Sequence, residues 1–499
     1  MTQNHYDVFI IGGGINGAGI ARDAQGRGLS VYLCEKGDLA NGTSSASSKM
    51  IHGGLRYLEF YEFRLVREAL HEREVLLNSA PHIIWPIEFV LPHSPSLRSS
   101  WLVRAGLFLY DHLAKRKRLA GSYSVDLTSS RFGKPLKRFV KSGFVYSDCW
   151  VEDARLVVLN ALDAAKKNAQ IHPHTEFVKA VRGDKQWQIT VRHQHGREET
   201  LTARHIVNAG GPGLRKVAER IEGVTQLPLP LHLVKGSHIV VPRLYEGEHA
   251  YILQHSDRRM VFVIPFEEDF TMIGTTDQNA EEADLAAPKI SQYELDYLLE
   301  AVNLYFTKQL TRYDVRYTYS GIRPLFDDGE QNVSKVTRDY KLVLADDCLS
   351  VYGGKITTFR RLAEEAVDLI VADRDEDIDR PRWTQNAVLP GGDIGSSLSI
   401  FTKQVIEAYP FLPENLAARL ASHYGTRVHQ LLEKASSMAD MGMHFGYDLY
   451  AREVDFLCKT EWASQPDDIL LRRTKIGLHT DPATREKLAD YLAGGPSKL

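Results

Sequence analysis

Residues Tyr6 to Glu35 constrain this chain more than any other stretch. The run Val8, Phe9, Ile10 and Ile11 meets Gly12, Gly14 and Gly17 in G-x-G-x-x-G spacing, and a small-residue segment with Ala18, Ala21 and Ala24 follows. That pattern predicts a strand, a tight turn and a helix. A second apolar strand with Val31 and Leu33 follows Gly28 and ends on Glu35, about twenty residues further on, which completes the dinucleotide-binding fingerprint. Each part has a physical role: Gly12 makes the turn, Gly14 lets the backbone approach a pyrophosphate, and Gly17 lets helix and strand pack closely. The helix N-terminus, with Ile15 and Asn16 in its first turn, offers N–H groups and a positive dipole end to phosphates. Glu35 suits ribose hydroxyls and repels a 2′-phosphate, so an NADP-type ligand is disfavoured.

The totals narrow the class. At 499 residues the chain has room for about three domains. With 61 basic and 64 acidic residues its net charge is −3, which gives no reason to expect nucleic acid as a partner. Cys34, Cys149, Cys348 and Cys458 lie far apart with no C-x-x-C pair. Neither a disulfide framework nor a cysteine-ligated cluster is expected, and a reducing compartment is. The first strand starts within a few residues of Met1, leaving no room for a signal peptide. No apolar run reaches the roughly 18 residues of a membrane span, so a soluble or surface-bound intracellular chain is expected. Asp373, Asp375 and Asp377 have D-x-D-x-D spacing, but Ile378 stands where a calcium loop needs glycine and Thr384 where it needs a bidentate acid. His172 with His174, and His193 with His195, lack a third ligand and read as surface strand histidines, so no metal site is expected.

After Glu35 comes a polar patch, Thr43, Ser44, Ser45, Ser47, Ser48 and Lys49, then His52, Gly53, Gly54, Leu55, Arg56 and Tyr57. Composition alone describes a solvated linker; the position, directly after a nucleotide half-site, also suits groups lining a diphosphate and ribityl chain. The opening glycines, this patch ending in Lys49, and the run from His52 to Tyr57 resemble the aerobic glycerol-3-phosphate dehydrogenases, flavoproteins of the glycine oxidase-like superfamily. The resemblance implies FAD held by Gly12, Gly14, Ile15, Asn16, Gly17 and Glu35, by Thr43, Ser44, Ser45, Ser48 and Lys49, and by His52, Gly53 and Gly54.

Further along, Phe60 to Ala80 is helical in pattern, with Leu65, Ala69, Leu76 and Leu77 near helical spacing and Pro81 closing it. Trp101 to Leu119 carries Trp101, Leu102, Leu107, Phe108, Leu109 and Leu113 ahead of the basic run Lys115 to Arg118. An interfacial helix on an anionic leaflet and a core helix followed by a charged turn fit this pattern equally. The resemblance, which implies a peripheral membrane enzyme, favours the former. Asp148 to Ala154 lead into a helix through Leu159 and Ala165; Phe177 to Val181, Trp187 to Val191 and Leu201 to Ala203 read as strands, and the resemblance counts Val178 among the cofactor contacts. His205 to Gly213 reads as a short strand ending in a glycine turn, which by resemblance returns to the flavin through Ala209, Gly210 and Gly211, where many superfamily members have Ala-Thr-Gly. No second complete fingerprint appears, which argues against an NAD(P)H-coupled reductase.

Leu233 to Val241, Tyr251 to His255, Met260 to Pro265 and Phe270 to Thr275 read as an antiparallel sheet. Ser291 and Glu294 form a capping box for a helix running toward Leu310, and Val315 to Ile322 and Lys341 to Leu344 are further strands. Ser350 to Tyr352 meets Gly353, Gly354, Lys355, Ile356, Thr357 and Thr358 ahead of a helix through Leu362, Ala366 and Ile370. By resemblance Gly354, Lys355, Ile356 and Thr357 touch the flavin. Pro390, Gly391, Gly392 and Gly395 mark a linker to helices that include Leu416, Leu420, Val454 and Leu457, and the region of Arg472, Arg473 and Thr474 also resembles the family. The expected architecture is α/β: a Rossmann-like FAD-binding domain (1–79, 148–222 and 341–389), an inserted antiparallel-sheet substrate domain (80–147 and 223–340), and an all-helical C-terminal domain (390–499).

A phosphorylated alcohol requires cations that match phosphate, and Arg56, Arg323 and Lys355 are three of them on stretches the family places at the flavin ring. The general base is His238 in preference to His52, with Arg323 or Lys355 stabilising the alkoxide; Tyr57 and Thr276 are candidates for hydroxyl contacts. The resemblance implies oxidation of sn-glycerol 3-phosphate at C2 to dihydroxyacetone phosphate. Electrons then pass to a membrane quinone, in a homodimer bound peripherally to anionic lipid on the cytoplasmic face of the inner membrane. Two alternatives stay open: an oxygen-reducing oxidase of the same fold, acting on glycerol phosphate or an amine, and a non-catalytic dinucleotide-fold carrier.

Overall fold

The computed structural model describes residues 4–93, 99–226, 228–257, 259–326, 339–374, 380–395 and 397–495. Its first strand, His5–Ile11, is apolar on both faces from Val8 onward because that part lies inside a parallel sheet covered on both sides. That sheet runs Gln170–His172, Val31–Cys34, His5–Ile11, Glu198–Asn208 and Cys348–Tyr352, all parallel. Its edges carry the antiparallel strands Lys341–Ala345, and Trp187–His193 with Thr175–Arg182. The helices Ile15–Gly26, Asp153–Lys166 and Phe359–Ala372 pack on one face. The aromatic cluster of Phe9, Tyr32, Phe177 and Trp187 fills the other.

Two segments expected as separate strands, Leu201 to Ala203 and His205 onward, are one strand, Glu198–Asn208. Its first half pairs antiparallel with Trp187–His193 and its second half parallel with the first strand, so the change of neighbour falls where the sequence suggested a break.

A second sheet of ten strands stands beside the first. Its longest member, Leu231–Pro242, pairs along its length with Tyr317–Phe326 and on its other side with Phe270–Gly274. Met260–Phe266, Ala250–Gln254, Ile84–Pro92 and Ser142–Val151 continue the order, and Met50–Ile51 ends it. The strands Ile84–Pro92 and Ser142–Val151 were not foreseen, and the expected division at residues 79/80 and 147/148 does not follow the sheets. Met50–Ile51 and all of Ser142–Val151 belong to the second one, joined by pairing over about a hundred residues that no local pattern announces. The helix Gln292–Tyr305 covers one face behind the capping box of Ser291 and Glu294, and Phe63–Ser79 and Ser100–His112 cover the other.

Beyond Pro390 a third core forms around Leu416, Leu420, Tyr424, Val454 and Leu457. It is helical except for a small hairpin, His444–Gly446 with Leu449–Tyr450, which the all-helical expectation missed. Of the D-x-D-x-D stretch, Asp375, Asp377 and Ile378 lie outside the described residues, while Asp373 accepts a 2.9 Å hydrogen bond from His205 Nε2. His172 is no surface histidine: its ring stacks on Tyr32 at 4.4 Å, and burial pushes its pKa down to about 4. Asp38, His174 and Asp468 approach one another closely, but Arg472 and Arg473 already engage the two carboxylates.

Candidate active site

At the end of the first strand the backbone closes on itself. Gly12 takes φ +112°, and a Cβ there would sit 2.5 Å from the Ala209 carbonyl oxygen; one on Gly17 would sit 1.9 Å from the Gly12 carbonyl. The helix Ile15–Gly26 starts at Gly14 with no side-chain cap and no acid in its first turn, which leaves its positive end open to an anion. Ser44 Oγ accepts from the Ile15 N–H at 3.0 Å, and Asn16 Nδ2 donates to the Gly353 carbonyl at 3.1 Å. Glu35 accepts from the Gly13 N–H at 2.7 Å and the Gly37 N–H at 2.9 Å, so its carboxylate braces the glycine turn at the place a ribose needs it. Across the sheet, Ala209 bonds Ile11, Gly210 is held by Asn208 Oδ1, and Gly211 takes φ +56° with open space where its Cβ would be. Val178 occupies a register shift in its strand, between Phe177 and Lys179.

The serine-rich loop bridges the two sheets. Thr43 Oγ1 donates to the Ile322 carbonyl at 2.5 Å, Ser48 Oγ meets His238 Nε2 at 2.9 Å, and the Tyr319 hydroxyl donates to the Ser47 carbonyl. Ser45 turns its hydroxyl back to the Gly42 carbonyl. Lys49 turns its ammonium away from the loop's surface. Its ammonium is buried and bonded to Asp153 at 2.9 Å and to the Ser45 carbonyl, where it pins the loop to the helix Asp153–Lys166.

Along the seam between the sheets, the three expected cations sit on segments that adjoin one another. Lys355 lies with its ammonium 3.8 Å from the centre of the Tyr57 ring. The turn that carries it, with Gly354 at φ +99°, rests on the strand Tyr317–Phe326 through Gly353 and the Pro324 carbonyl. Ile356 packs on the first core and Thr357 is buried. On that strand Arg323 bonds Asp277 at 2.5 Å and Thr275 Oγ1 at 3.1 Å and stays partly open. Arg56, one residue from Tyr57, stacks over Phe60 and forms no ion pair among the described residues. His52 shares this corner, its N–H donating to Thr357 Oγ1 at 3.3 Å, followed by the buried Gly53 and by Gly54 at φ +77°. Burial lowers the His52 pKa; Asp148 pulls it up, and Lys355 and Arg73 push it down.

Two of the expected residues are enclosed. Thr276 has its hydroxyl committed inward, donating to Glu294 at 2.7 Å and accepting from the Ser237 N–H, within a buried network that includes Ser320. There it ties the strand Leu231–Pro242 to the helix Gln292–Tyr305. His238 is 1% exposed, stacked on Tyr319 and closed over by Gly274. A base must reach the proton it removes; His52 is half-buried, whereas His238 is enclosed. Asp148 and Tyr110, which stand behind His52, were not foreseen; no motif marks them.

Gly12 and Gly17 leave no room for side chains, the helix begins at a glycine with no acid in its first turn, and a carboxylate closes the second strand, so these residues fit the adenine dinucleotide half of FAD. With cations and a neutral imidazole at the junction with an antiparallel sheet, the class is a flavin-linked oxidoreductase. The model of the FAD dependent oxidoreductase family matches residues 7–368, and that of the C-terminal domain of alpha-glycerophosphate oxidase matches 382–493. A glycerol-3-phosphate dehydrogenase of Pseudomonas aeruginosa is 51% identical over 98% of this chain and 95% of its own length. A D-erythritol 1-phosphate dehydrogenase of Brucella abortus is 49% identical over 97% of each. Among solved structures, glycerol-3-phosphate dehydrogenase from Bacillus halodurans complexed with FAD superposes with a TM-score of 0.78 at 26% identity, covering 99% of this chain and 92% of that one. The chain belongs to the FAD-dependent oxidoreductase family and is an FAD enzyme.

Proposed function

We propose that this enzyme oxidises sn-glycerol 3-phosphate at C2 to dihydroxyacetone phosphate. The observation that carries the reading is that the segments bearing Arg56, Arg323, Lys355 and His52 adjoin one another beside the glycine cradle: Lys355 lies on the Tyr57 ring, Gly353 approaches the Pro324 carbonyl and receives Asn16, and His52 donates to Thr357. Bound FAD supplies a hydride acceptor. The planar guanidinium groups of Arg56 and Arg323 bind the phosphate, and the Lys355 ammonium faces the C2 oxygen as charge develops on it. His52 takes the hydroxyl proton. Gly12, Gly14, Ile15, Asn16, Gly17 and Glu35 hold the dinucleotide, with Thr43, Ser44, Ser48, Val178, Ala209 to Gly211 and Gly354 to Thr357 continuing the cradle.

The relative that acts on D-erythritol 1-phosphate makes chain length the nearest point of contrast. Anaerobic addition of sn-glycerol 3-phosphate is expected to bleach the flavin absorbance, and D-erythritol 1-phosphate to do so less efficiently. Bound flavin that glycerol 3-phosphate leaves unbleached excludes the substrate. A quinone analogue sustaining turnover better than oxygen supports quinone as the acceptor; the reverse order favours the oxidase.

No helix among the described residues is long and apolar enough to cross a membrane. The helix Ser100–His112 instead turns Trp101, Leu102, Phe108 and Leu109 outward, with Trp101 72% exposed. Beside it Arg64, Arg67, Lys115, Arg116 and Arg361 line one groove in which Glu68 and Asp111 are the two acids, so cations predominate. Apolar residues next to a cationic groove support peripheral docking on an anionic leaflet at the cytoplasmic face. The homodimer is part of the same reading, resting on the family resemblance, and sedimentation velocity tests it.

A further inference from the structure

Two residues of the helix Ser100–His112 are buried, Leu107 and Tyr110. Leu107 packs as an apolar residue should. Tyr110 carries a hydroxyl into the interior, where it accepts a hydrogen bond from the Gly53 N–H at 2.8 Å and donates to Asp148, 2.8 and 2.9 Å from its two oxygens. Asp148 is bound in turn to Arg73, whose guanidinium also reaches the Ser147 carbonyl at 3.0 Å. All three side chains are buried. Arg73 comes from the helix Phe63–Ser79 and Asp148 from the strand Ser142–Val151, so three separate elements converge behind one peptide unit.

That peptide unit follows His52. The His52 N–H is held on one side by Thr357 Oγ1, and the next N–H, of Gly53, is held on the other by Tyr110. There is no slack at this point: a Cβ on Gly53 would lie 2.5 Å from Leu70 Cδ2 and 2.7 Å from the Tyr110 hydroxyl. The glycine is therefore required for the tyrosine to approach the backbone. A buried N–H must be paired, and a base must be held to within a fraction of an ångström of its target. One hydroxyl meets both needs.

We propose that Tyr110, anchored through Asp148 to Arg73, is a positioning residue that fixes the His52–Gly53 backbone and thereby aims the His52 imidazole at the substrate. It touches neither substrate nor cofactor. The proposal rests on the reading of His52 as proton acceptor. It predicts that loss of the hydroxyl slows the chemical step while leaving substrate binding, set by Arg56, Arg323 and Lys355, unchanged.

Tyr110→Phe, loaded with FAD, is the test. The rate constant for flavin reduction at saturating sn-glycerol 3-phosphate is expected to fall roughly 10–100-fold, with the substrate dissociation constant and the flavin content as in the parent enzyme. Leu107→Ala on the same helix should lower the melting temperature without slowing reduction. A Tyr110→Phe rate equal to the parent's, or a Leu107→Ala rate that drops as far, overturns the positioning role. His52→Gln separates this from the underlying reading. Full activity in that variant removes His52 as the base, whereas an inactive His52→Gln beside an unslowed Tyr110→Phe removes only the role of Tyr110. Hydrogen exchange of the parent holoenzyme gives a check independent of any variant: the Gly53 amide should exchange slowly, and exchange at the rate of an exposed loop counts against the proposal.

Discussion

An imidazole acts as a base only while it is neutral, and the groups around His52 decide at what pH that holds. Burial disfavours its charged form first of all; the Lys355 ammonium and the Arg73 guanidinium add to that, while Asp148, which also engages Tyr110, opposes them. The lowered pKa means that kcat/KM, whose acid limb reports the free enzyme's base, should hold as pH falls past about 6.5 and decline only below it. Lys355→Met removes one of the cations that push the value down. Its acid limb should move upward toward 6.5, even as activity drops through the lost contact to the C2 oxygen. A pH profile of kcat/KM for the two enzymes checks this, and an unmoved limb would assign the base to another group. The sequence named both histidines and all three cations because chemistry of that kind needs those residue types. It could not show the partners of Lys49 and Thr276 or the enclosure of His238, because distant segments decide them. The Asp153 that takes up Lys49 lies 104 residues away, and the Glu294 that takes up Thr276 belongs to a helix read only for its cap.

At the scale of elements, the outward stripe of Ser100–His112 settles its orientation. Leu107 and Tyr110 fall on one side and Trp101, Leu102, Phe108 and Leu109 on the other, so the helix packs weakly inward and leaves its larger apolar face unpartnered among the described residues. Burying a large apolar side chain in a bilayer interface is worth about 1.5–3 kcal/mol. Trp101→Ser combined with Phe108→Ser should therefore reduce binding to anionic vesicles by at least roughly tenfold, with soluble-acceptor turnover intact. Of the basic run, Arg116 is paired with Asp111, so the exposed Lys115 and Lys117 are the ones whose neutralisation should weaken binding most, at low salt above all. Cosedimentation with vesicles reads both effects, and unchanged binding in the double serine variant would end the docking role. Helical period and cap chemistry made this helix, the glycine helix and the Gln292–Tyr305 helix legible in advance. Ile84–Pro92 and Ser142–Val151 stayed hidden because strands inside a two-sided core lose the alternation that identifies a half-buried strand.

Across the whole molecule, buried charge ties the C-terminal helices to the cofactor-binding sheet. Glu461 receives Arg155 from the helix Asp153–Lys166 and Arg427 from its own unit, and Arg473 donates to both oxygens of Asp38, just past Glu35, at 2.7 Å. Although burial pulls the other way, Arg155 and Arg427 hold the Glu461 pKa at about 2, so these pairs stay ionised under moderate acid. His82 sits in the same seam, fully buried against Gly391 and Gly425, with neither ring nitrogen hydrogen-bonded among the described residues. Burial, then Arg155 and Arg427, push its pKa down to about 3. The unfolded chain binds a proton at this histidine below about 6.5 and the folded chain does not. The stability it lends is therefore complete above that pH and is lost as pH falls toward 3, at about 1.4 kcal/mol per pH unit. His423, held at about 4 in the same region, adds to the trend. His82→Leu removes one of these protons, so its melting temperature should fall less than the parent's between about pH 7 and pH 4.5. Thermal unfolding at the two pH values measures the difference, and an equal fall in both proteins would place the acid-sensitive group elsewhere in the chain.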